Sequence, residues 1–473
     1  MTERPRGHHT RPVQWRPDRR HTDPARLAAY DVLRAVEADG AYANLVAPRV
    51  LSEAGLEGRD AAFATTLAYG TLRRRGFLDA VLEACSARPL SEVDPELLDV
   101  LRLGAQQILF LGTPLHAAVG ETVQLARLVG GEARSGFANA VLRRVGERDL
   151  DDWVEEVAPD PDVDAVGHLA VVQSHPRWVV ESLHDALSAW AGSASWAETE
   201  DLLAADNLNA GVTLAARPGR CTVEELLALP GTSPGRWSPY AVALASGSPG
   251  GLAQVRSGAA GVQDEGSQLV ALALARAEVA GPDRTWLDMA AGPGGKAALL
   301  AGLGLERGAA LLAVDRAPHR ARLVARALEG APGHHAVVAA DATQGPWVPG
   351  GFDRVLLDAP CSGLGVLRRR PESRWRRSPA DVSALASLQA RLLASAVAAV
   401  RVGGVVGYAT CSPHLAETTV VVEDAVRRGN VERVDVPSLL PEVTGTGPGP
   451  DLRLWPHLHG TDGMFLAVLR RTR

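Results

Sequence analysis

The sequence predicts an α/β protein with a doubly wound, mostly parallel sheet, preceded by an all-helical domain and a small α/β connecting subdomain. Two observations lead to this fold class. From residue 263 onward, short β-rich runs alternate with helical segments rich in Ala, Leu and Arg, which is typical of a parallel sheet that binds ligands at the carboxyl ends of its strands. Nearer the N-terminus, apolar residues recur at spacings of three and four, which indicates helices.

The length of the chain, 473 residues, predicts several domains. We expect a basic, disordered tail over residues 1–23, the helical domain over residues 24–150, the connecting subdomain over residues 165–262 and the doubly wound sheet over residues 263–473. The acidic, proline-containing stretch from Val154 to Gly167 has the composition of a linker. The chain is therefore expected to hold its ligand site in the C-terminal part.

Composition restricts the classes of protein that the sequence can represent. Hydrophobic residues make up 46% and charged residues 22%, as in globular proteins, and the basic, polar N-terminus lacks the apolar segment of a secretory signal. We therefore expect a cytoplasmic protein without a membrane partner. The four scattered cysteines include no CxxC pair, so neither a disulfide framework nor a metal site is predicted.

Any contact with nucleic acid must come from local basic patches, because the net charge is −6. One patch is the arginine-rich tail before Asp23. The other is RRRPESRWRR, from Arg368 to Arg377, where six arginines surround Glu372. We expect the second patch to lie near the ligand cleft and to meet phosphates, although a solvated charge run has the same composition.

A glycine-rich turn follows the first strand of the predicted sheet. The strand ends at Asp288, and the turn reads AAGPGGK before a helix starts near Lys296. Glycines allow the backbone to approach a ligand closely, and the helix N-terminus offers free N–H groups. The turn residues are Ala290, Ala291, Gly292, Pro293, Gly294, Gly295 and Lys296. Their spacing differs from that of a phosphate loop.

Acidic residues end the next strands in a regular series. A carboxylate at Asp315 can accept both ribose hydroxyls of a nucleoside, and one at Asp341 can meet an adenine amino group. Asp358 ends the strand RVLLD. Each acid alone could be a turn or capping residue, but three in this register predict a nucleoside cofactor.

Two cysteines also follow predicted strands, Cys361 in DAPCSGLG and Cys411 in YATCSP. A thiolate that adds to carbon 6 of a cytosine makes carbon 5 nucleophilic, so cysteine catalysis suits methylation there. Asp358 is placed to supply a proton or hydrogen bond at nitrogen 3, and Cys361 is the candidate for product release. Cys85 and Cys221 are interpreted as inert buried thiols.

Together, DMAAGPGGK, Asp315, Asp341, DAPCSGLG and YATCSP resemble the RsmB/NOP2/Sun family of RNA 5-methylcytosine methyltransferases, and most closely its bacterial 16S ribosomal RNA branch. Flanking blocks extend the likeness over residues 174–473. The helical region from Pro24 to Gly146 is similar to the NusB-type RNA-binding domain that precedes the catalytic part in that branch.

The resemblance implies a Rossmann-like methyltransferase core, S-adenosylmethionine as cofactor and RNA, most closely 16S ribosomal RNA, as partner. It implies covalent catalysis by Cys411. The expected cofactor residues are the turn Ala290 to Lys296, Asp315, Asp341 and Asp358, and the expected catalytic residues are Cys411, Cys361, Asp358 and Lys296, the single lysine of the chain.

Three other functions remain open on the sequence. A DNA cytosine methyltransferase would use the thiol of a Pro-Cys motif, whereas the pair Thr410–Cys411 favours RNA. A non-catalytic RNA-binding module would need only the helical domain and would have no use for both thiols and all three acids. A methyltransferase for small molecules or proteins would use the cofactor site but leaves the paired cysteines without a role.

Overall fold

The computed structural model describes residues 22–473. Two compact units make up this part of the chain, one ending at Pro159 and the other running from Asp160 to Arg473. The first is called the helical unit and the second the catalytic unit. All but the last two residues of the basic tail expected over residues 1–23 lie outside the described residues.

The helical unit is built from helices joined by short turns. Asp23 and Asp94 each accept a hydrogen bond from a backbone N–H of the following turn, and proline follows each of them, so both helices begin at a capped Asp-Pro pair. The bounds are α1 (Pro24–Asp39), α2 (Ala43–Glu53), α3 (Gly58–Arg73), α4 (Arg75–Cys85), α5 (Pro95–Phe110), α6 (Leu115–Val145) and α7 (Leu150–Val157). Helix α6 is kinked at Gly130 and Gly131.

The stretch expected to be a linker, Val154 to Gly167, is partly helical. It begins within α7, where Trp153 is buried and donates its indole N–H to the carbonyl of Val145 at 2.9 Å. It ends within α8 (Ala165–Val172), whose first turn is capped by Asp164. Burial of one tryptophan therefore extends the helical unit beyond the point where composition suggests an end.

The catalytic unit begins with helices and a small antiparallel sheet. Helices α8, α9 (Arg177–Ala191) and α10 (Trp196–Asp206) precede the strands. The sheet has the order β2-β3-β1-β4. Its elements are β1 (Val212–Ala216), α11 (Val223–Leu227), β2 (Thr232–Pro234), β3 (Ala241–Leu244), α12 (Ala253–Arg256) and β4 (Ala260–Val262).

The larger sheet has the order β10-β12-β9-β8-β5-β6-β7, with β11 paired to β12. The five strands expected from the sequence form its parallel part, which confirms the predicted fold class, while β12 runs antiparallel to its neighbours. The bounds are β5 (Thr285–Asp288), β6 (Ala310–Asp315), β7 (His334–Ala339), β8 (Phe352–Asp358), β9 (Val400–Thr410), β10 (Val431–Val434), β11 (Leu452–Leu454) and β12 (Met464–Arg471).

Helices cover this sheet, and the core lies between them and the strands. Buried residues such as Leu274, Val355 and Val406 pack in two layers, one against each face. The bounds are α13 (Glu265–Arg276), α14 (Gly295–Leu303), α15 (Pro318–Leu328), α16 (Ser373–Arg376), α17 (Pro379–Ala399), α18 (Thr419–Arg427), α19 (Val436–Leu439) and α20 (Pro456–His459).

The strand order places a crevice where the chain reverses direction across the sheet. From β5 the chain proceeds through β6 to β7 on one side, and then returns to β8 and β9 on the other. Ligands of doubly wound sheets bind at this switch point, outside the carboxyl ends of the strands. Asp288, Asp358 and Thr410 end three adjacent strands there.

Helix α17 is long and apolar enough to cross a membrane by length and composition alone. In the structure it packs on the sheet, with Leu393 and Ala396 buried against β8 and β9. Its Gln389 is also buried and donates a hydrogen bond to the carbonyl of Pro360 at 2.9 Å. The helix is therefore part of the core of the catalytic unit.

Candidate active site

The glycine-rich turn has a shape that only glycines allow. Gly294 has a φ of +109°, and α14 begins at the next residue. A Cβ on Gly292 would lie 2.3 Å from a carboxylate oxygen of Asp315, and a Cβ on Gly294 would lie 2.5 Å from the Cβ of Ala327. The backbone can therefore take the close turn that exposes the first N–H groups of α14.

Asp315 holds this turn to the end of β6. Its carboxylate accepts hydrogen bonds from the backbone N–H groups of Gly292 at 3.2 Å and Ala317 at 2.8 Å. Arg320 pairs with the same carboxylate at 3.3 Å and donates to the carbonyl of Gly292 at 2.6 Å. The acid expected to bind a ribose thus also fixes the glycine turn.

Asp288 is a buried acid at the end of β5, directly before the turn. It is fully buried, and neither carboxylate oxygen has a hydrogen-bond partner of normal geometry among residues 22–473. Burial raises the pKa of Asp288 to about 7, the negative charge of Asp358 adds to this rise, and Lys296 opposes it. A carboxylate left in this state fits a ligand that brings a positive charge, such as the ammonium group of S-adenosylmethionine.

Lys296 and Asp358 form an ion pair across the switch point. The Lys296 Nζ lies 2.8 Å from the Asp358 Oδ2, and the lysine side chain is 12% exposed. Burial lowers the pKa of Lys296, but the charge and hydrogen bond of Asp358 more than offset it, and the net pKa is raised. Asp358 ends β8, and Cys411 directly follows β9, the neighbouring strand.

The two predicted thiols meet at the carboxyl ends of β8 and β9. The Sγ atoms of Cys361 and Cys411 are 3.4 Å apart, and both side chains are partly exposed. Backbone contacts fix the two loops, since the N–H of Gly365 donates to the carbonyl of Cys411 at 2.9 Å. Thr410 is fully buried, and its hydroxyl donates to the carbonyl of Ser412 at 2.9 Å, which shapes the turn around Cys411.

Cys361 is held as a neutral thiol. The hydrogen bond to Cys411 and burial raise the pKa of Cys361 well above its usual value, and the negative charges of Cys411, Glu417 and Asp358 raise it further. The raised pKa keeps the proton on the Cys361 sulfur. The site brings this thiol into contact with Cys411 at the strand ends that also carry the ion pair of Lys296 and Asp358.

Asp341 occupies a different position from the other acids. It follows β7, and its side chain accepts hydrogen bonds from the backbone N–H of Thr343 at 2.9 Å and from the Thr343 hydroxyl at 2.7 Å. Both bonds use one carboxylate oxygen, and about half of the side chain is exposed. The structure thus gives Asp341 the role of a turn cap, and its other oxygen lies 3.8 Å from the Arg316 side chain.

Comparison with known proteins identifies the family. Residues 276–470 match the model described as 16S rRNA methyltransferase RsmB/F, and residues 23–147 match the NusB family. A Mycobacterium tuberculosis protein with a methyltransferase name is 54% identical over 472 residues, covering 100% of both chains. The ribosomal RNA small subunit methyltransferase B of Pseudomonas putida is 33% identical over 413 residues, covering 85% of this chain and 89% of the relative.

The chain belongs to the RsmB/F family of 16S rRNA methyltransferases. Two solved structures support the fold. The protein named PH0851 has a TM-score of 0.76 at 21% identity and covers 95% of this chain and 98% of its own. NSun6 from Pyrococcus horikoshii, solved with SFG, has a TM-score of 0.52 at 18% identity and covers 62% of this chain and 98% of its own.

Family membership confirms the resemblance found in the sequence and the expected cofactor, S-adenosylmethionine. This RsmB/F-family protein is an RNA methyltransferase, so the alternatives of a DNA methyltransferase and of a non-catalytic RNA-binding module are set aside. Among residues 22–473, the structure contains no group of three or more His, Cys, Asp or Glu side chains that could hold a metal ion.

The basic segment Arg368 to Arg377 differs from its sequence interpretation. Arg374 is completely buried and donates hydrogen bonds to the carbonyl of Ser174 at 3.0 Å and to the Asn207 side chain at 2.9 Å. Arg368 and Arg369 pair with buried acids. Arg368 lies 3.8 Å from Asp264 and 3.1 Å from Asp462, and Arg369 lies 2.9 Å from each of the two acids.

The expectation that this segment forms one exposed phosphate-binding patch is therefore wrong for these three arginines. They satisfy buried carbonyls and carboxylates inside the catalytic unit, because unpaired acids there would be costly. Arg376, by contrast, is exposed.

Sequence reasoning also missed two residues of the site. Asp288 entered it only as the end of a strand, although its burial beside Lys296 makes it a strong candidate for cofactor binding. Glu417 was not among the expected site residues, and the structure buries it behind both thiols. The position of Asp288, directly before a glycine turn, was the available signal for the first. No local pattern marks the second.

Proposed function

We propose that this protein methylates carbon 5 of a cytosine in RNA, and that this RNA is 16S ribosomal RNA. The reaction is proposed to proceed through a covalent bond between Cys411 and carbon 6 of the base. The observation that carries the proposal is the pair of thiols, 3.4 Å apart, beside the ion pair of Lys296 and Asp358. The ring needs a nucleophile at carbon 6 before carbon 5 can take a methyl group. Two thiols at the cofactor edge suit that chemistry.

Cys411 is the proposed nucleophile. Asp358 holds the Lys296 ammonium group at the end of β8, next to the end of β9 that Cys411 follows, and we propose that this positive charge attracts the sulfur anion that attacks the base. The Cys411 sulfur attacks carbon 6, and negative charge then builds on nitrogen 3 of the ring. Lys296 thereby serves catalysis directly as well as closing the cofactor turn.

Asp358 is proposed to meet the charge on nitrogen 3. Its Oδ2 accepts a hydrogen bond from the Lys296 Nζ at 2.8 Å, so a proton can pass from the lysine through the carboxyl group to the ring nitrogen and return by the same route once the methyl group has been transferred. S-adenosylmethionine, when bound, supplies the methyl group to carbon 5.

Cys361 is proposed to release the product. Its raised pKa keeps the proton on sulfur, and the Cys411 sulfur lies 3.4 Å away. As the carbon 5 proton moves to the Cys361 sulfur, the original Cys361 proton moves to the departing Cys411 sulfur. The bond from carbon 6 to sulfur breaks, the double bond between carbons 5 and 6 returns, and both thiols end neutral.

The cofactor is proposed to lie against the turn from Ala290 to Lys296. Asp315, Asp341 and Asp358 are its proposed side-chain contacts, and Asp288 is added as the partner of its ammonium group. The support is the close glycine turn, the acids that end β5, β6 and β8, and the buried carboxylate of Asp288. This arrangement follows the general position of ligands at a switch point.

The domains are proposed to divide the work. Residues 263–473 carry catalysis, residues 165–262 connect it to the N-terminal part, and the helical domain over residues 24–150 binds RNA. The match to the NusB family supports the last assignment. Action on ribosomal RNA also supports the proposed cytoplasmic location.

Nucleoside analysis tests the proposal. The protein is incubated with 16S RNA and isotope-labelled S-adenosylmethionine, and the digested nucleosides are separated by mass spectrometry. We expect label in 5-methylcytidine, its loss in Cys411→Ala by several orders of magnitude, and its retention in the matched control Cys221→Ala, a buried thiol of the small sheet. Label in another nucleoside, or more than about a hundredth of normal turnover in Cys411→Ala, contradicts the proposal.

A further inference from the structure

A buried hydrogen-bond network lies directly behind the two thiols, and Glu417 is its centre. Glu417 is completely buried. One carboxylate oxygen accepts from the backbone N–H of Ser362 at 2.8 Å and from the Gln389 side chain at 3.1 Å, and the other accepts from the Ser362 hydroxyl at 2.5 Å. These groups that donate to the carboxylate are all uncharged.

This network joins the two cysteine loops. Ser362 follows Cys361 directly, Ser412 follows Cys411 directly, and the two serine hydroxyl oxygens are 3.0 Å apart. A single carboxylate thus holds the Cys361 loop by two bonds and reaches the Cys411 loop through one serine. The spacing of the sulfur atoms is coupled to the spacing of the serines.

The surroundings of Glu417 keep it in place. The hydroxyl of Tyr408, on β9, donates to the Glu417 carbonyl at 2.6 Å. Gln389, on α17, donates both to the Glu417 carboxylate and to the carbonyl of Pro360 at 2.9 Å. Strand β9, helix α17 and both cysteine loops therefore converge on one side chain.

Burial of a carboxylate costs free energy unless its oxygens are hydrogen-bonded. Here both oxygens are satisfied, and two of the three bonds come from Ser362 in the loop that carries Cys361, while the third comes from Gln389 on α17. A hydrophobic side chain of similar size would fill the same space at less cost. The polar network is thus better explained by the geometry it imposes on the loops than by packing.

We propose that Glu417 is a positioning residue that sets the distance between the Cys361 and Cys411 sulfur atoms, so that Cys361 can act on the Cys411 adduct. The proposal rests on the proposed function, because the relay between the two sulfurs needs them in contact. Misplacement of reacting groups by about 1 Å costs on the order of a hundredfold in rate. Glu417 itself touches neither the base nor the cofactor.

Chemical cross-linking of the two thiols tests this placement without RNA or turnover. Dibromobimane becomes fluorescent when it bridges two nearby thiols, and a background with Cys85→Ala and Cys221→Ala leaves only Cys361 and Cys411 to react. We expect rapid fluorescence in the parent protein and none in Cys361→Ala or Cys411→Ala. The signal therefore reports the spacing of these two sulfurs.

Variants of the network then separate positioning from folding. We expect Glu417→Ala to cross-link at least about tenfold more slowly, and Glu417→Gln to recover most of the rate, because an amide can accept from the Ser362 N–H and donate to the Ser362 hydroxyl. Ser412→Ala removes the link between the loops, together with the hydrogen bond that its hydroxyl accepts from the His414 N–H at 3.2 Å. This variant should also react more slowly, which keeps the test valid if Glu417→Ala does not fold.

The matched control is Asp353→Ala. Asp353 is another buried acid, but it lies at the opposite end of β8, where it accepts from Arg401 at 2.5 Å and from the backbone N–H groups of Arg284 and Thr285. We expect it to lower the melting temperature while leaving the cross-linking rate unchanged. The proposal is overturned if Ser412→Ala and a folded Glu417 variant both cross-link at the rate of the parent protein.

Turnover supplies a second readout. In Glu417→Ala we expect kcat to fall on the order of a hundredfold with little change in the Kd for S-adenosylmethionine, and Glu417→Gln to restore kcat. An equal loss of kcat in both variants, or a loss confined to cofactor binding, contradicts positioning. If the labelled nucleoside is not 5-methylcytidine while the cross-linking results hold, the proposed function fails and the placement of the thiols by Glu417 stands.

Discussion

We predict that Asp288 makes cofactor binding depend on pH. Burial, together with the charge of Asp358, raises the pKa of Asp288 to about 7, so at pH 6 only about a tenth of the protein carries the ionised carboxylate, and at pH 7.5 about three quarters does. If the ionised form pairs with the ammonium group of S-adenosylmethionine, the apparent affinity scales with that fraction. The Kd should therefore fall about eightfold between pH 6 and pH 7.5.

Isothermal titration calorimetry of the protein with S-adenosylmethionine at these pH values measures the effect, and Asp288→Asn is the control. The variant should bind more weakly at pH 7.5 and lose the pH dependence, because an amide does not ionise. A wild-type Kd that is constant over this range, or a variant that keeps the wild-type dependence, refutes the reasoning.

Asp288 should also affect the stability of the folded protein. This effect has the opposite pH dependence to that of cofactor binding. Folding raises the pKa of Asp288 above the value of 3.8 expected in the unfolded chain, so the neutral carboxyl favours folding. This contribution is fully present below about pH 4 and is lost as the pH rises to about 7. Without cofactor, Asp288→Asn should therefore melt at a higher temperature than the wild type above pH 7, as measured by calorimetry, and an equal or lower melting temperature contradicts the assigned burial penalty.

Three other predictions follow from the site. Cys361→Ala should accumulate a protein–RNA complex that survives denaturation, seen as a shifted band on a gel; normal turnover without that band would return Cys361 to a structural role. Asp315→Ala should weaken S-adenosylmethionine binding by about 2 to 3 kcal/mol in calorimetry, and unchanged affinity would limit it to holding the turn. Arg374→Gln should lower the melting temperature, whereas Arg376→Gln should leave it unchanged and reduce the salt slope of RNA binding by somewhat under one; the reverse pattern would contradict the assignment of Arg374 to the interior.

Local sequence pattern determined the parallel strands, the glycine turn and the chemistry of the site. The strands β5 to β9 are apolar runs bounded by turn residues, and four of them end in a polar residue because the carboxyl edge of the sheet faces the ligand, whereas β7 ends at Ala339, two residues before Asp341. Since parallel strands bring their carboxyl ends to one edge, Cys361, Cys411 and Asp358 were expected to lie together. The structure places the two sulfurs 3.4 Å apart.

Sequence pattern failed where the partner of a residue lies far along the chain. The arginines from Arg368 to Arg374 form a charge run typical of a surface, but acids and carbonyls supplied by distant segments bury Arg368 and Arg374 and pair with the half-buried Arg369. Strand β12 was not predicted, because its apolar residues are buried by β9 and β11 on either side rather than by a local partner. Such pairings are decided by tertiary contacts.

The sequence by itself determined which residues can do the chemistry, because reactivity belongs to the side chain and its place at a strand end follows from a local pattern. Only the tertiary structure decided their electrostatic state and spacing. The pKa of Asp288 depends on burial and on Asp358, seventy residues away, and the contact between Cys361 and Cys411 depends on Glu417 behind them. Charges and hydrogen bonds act through space, and the distances that set their strength exist only once the chain has folded.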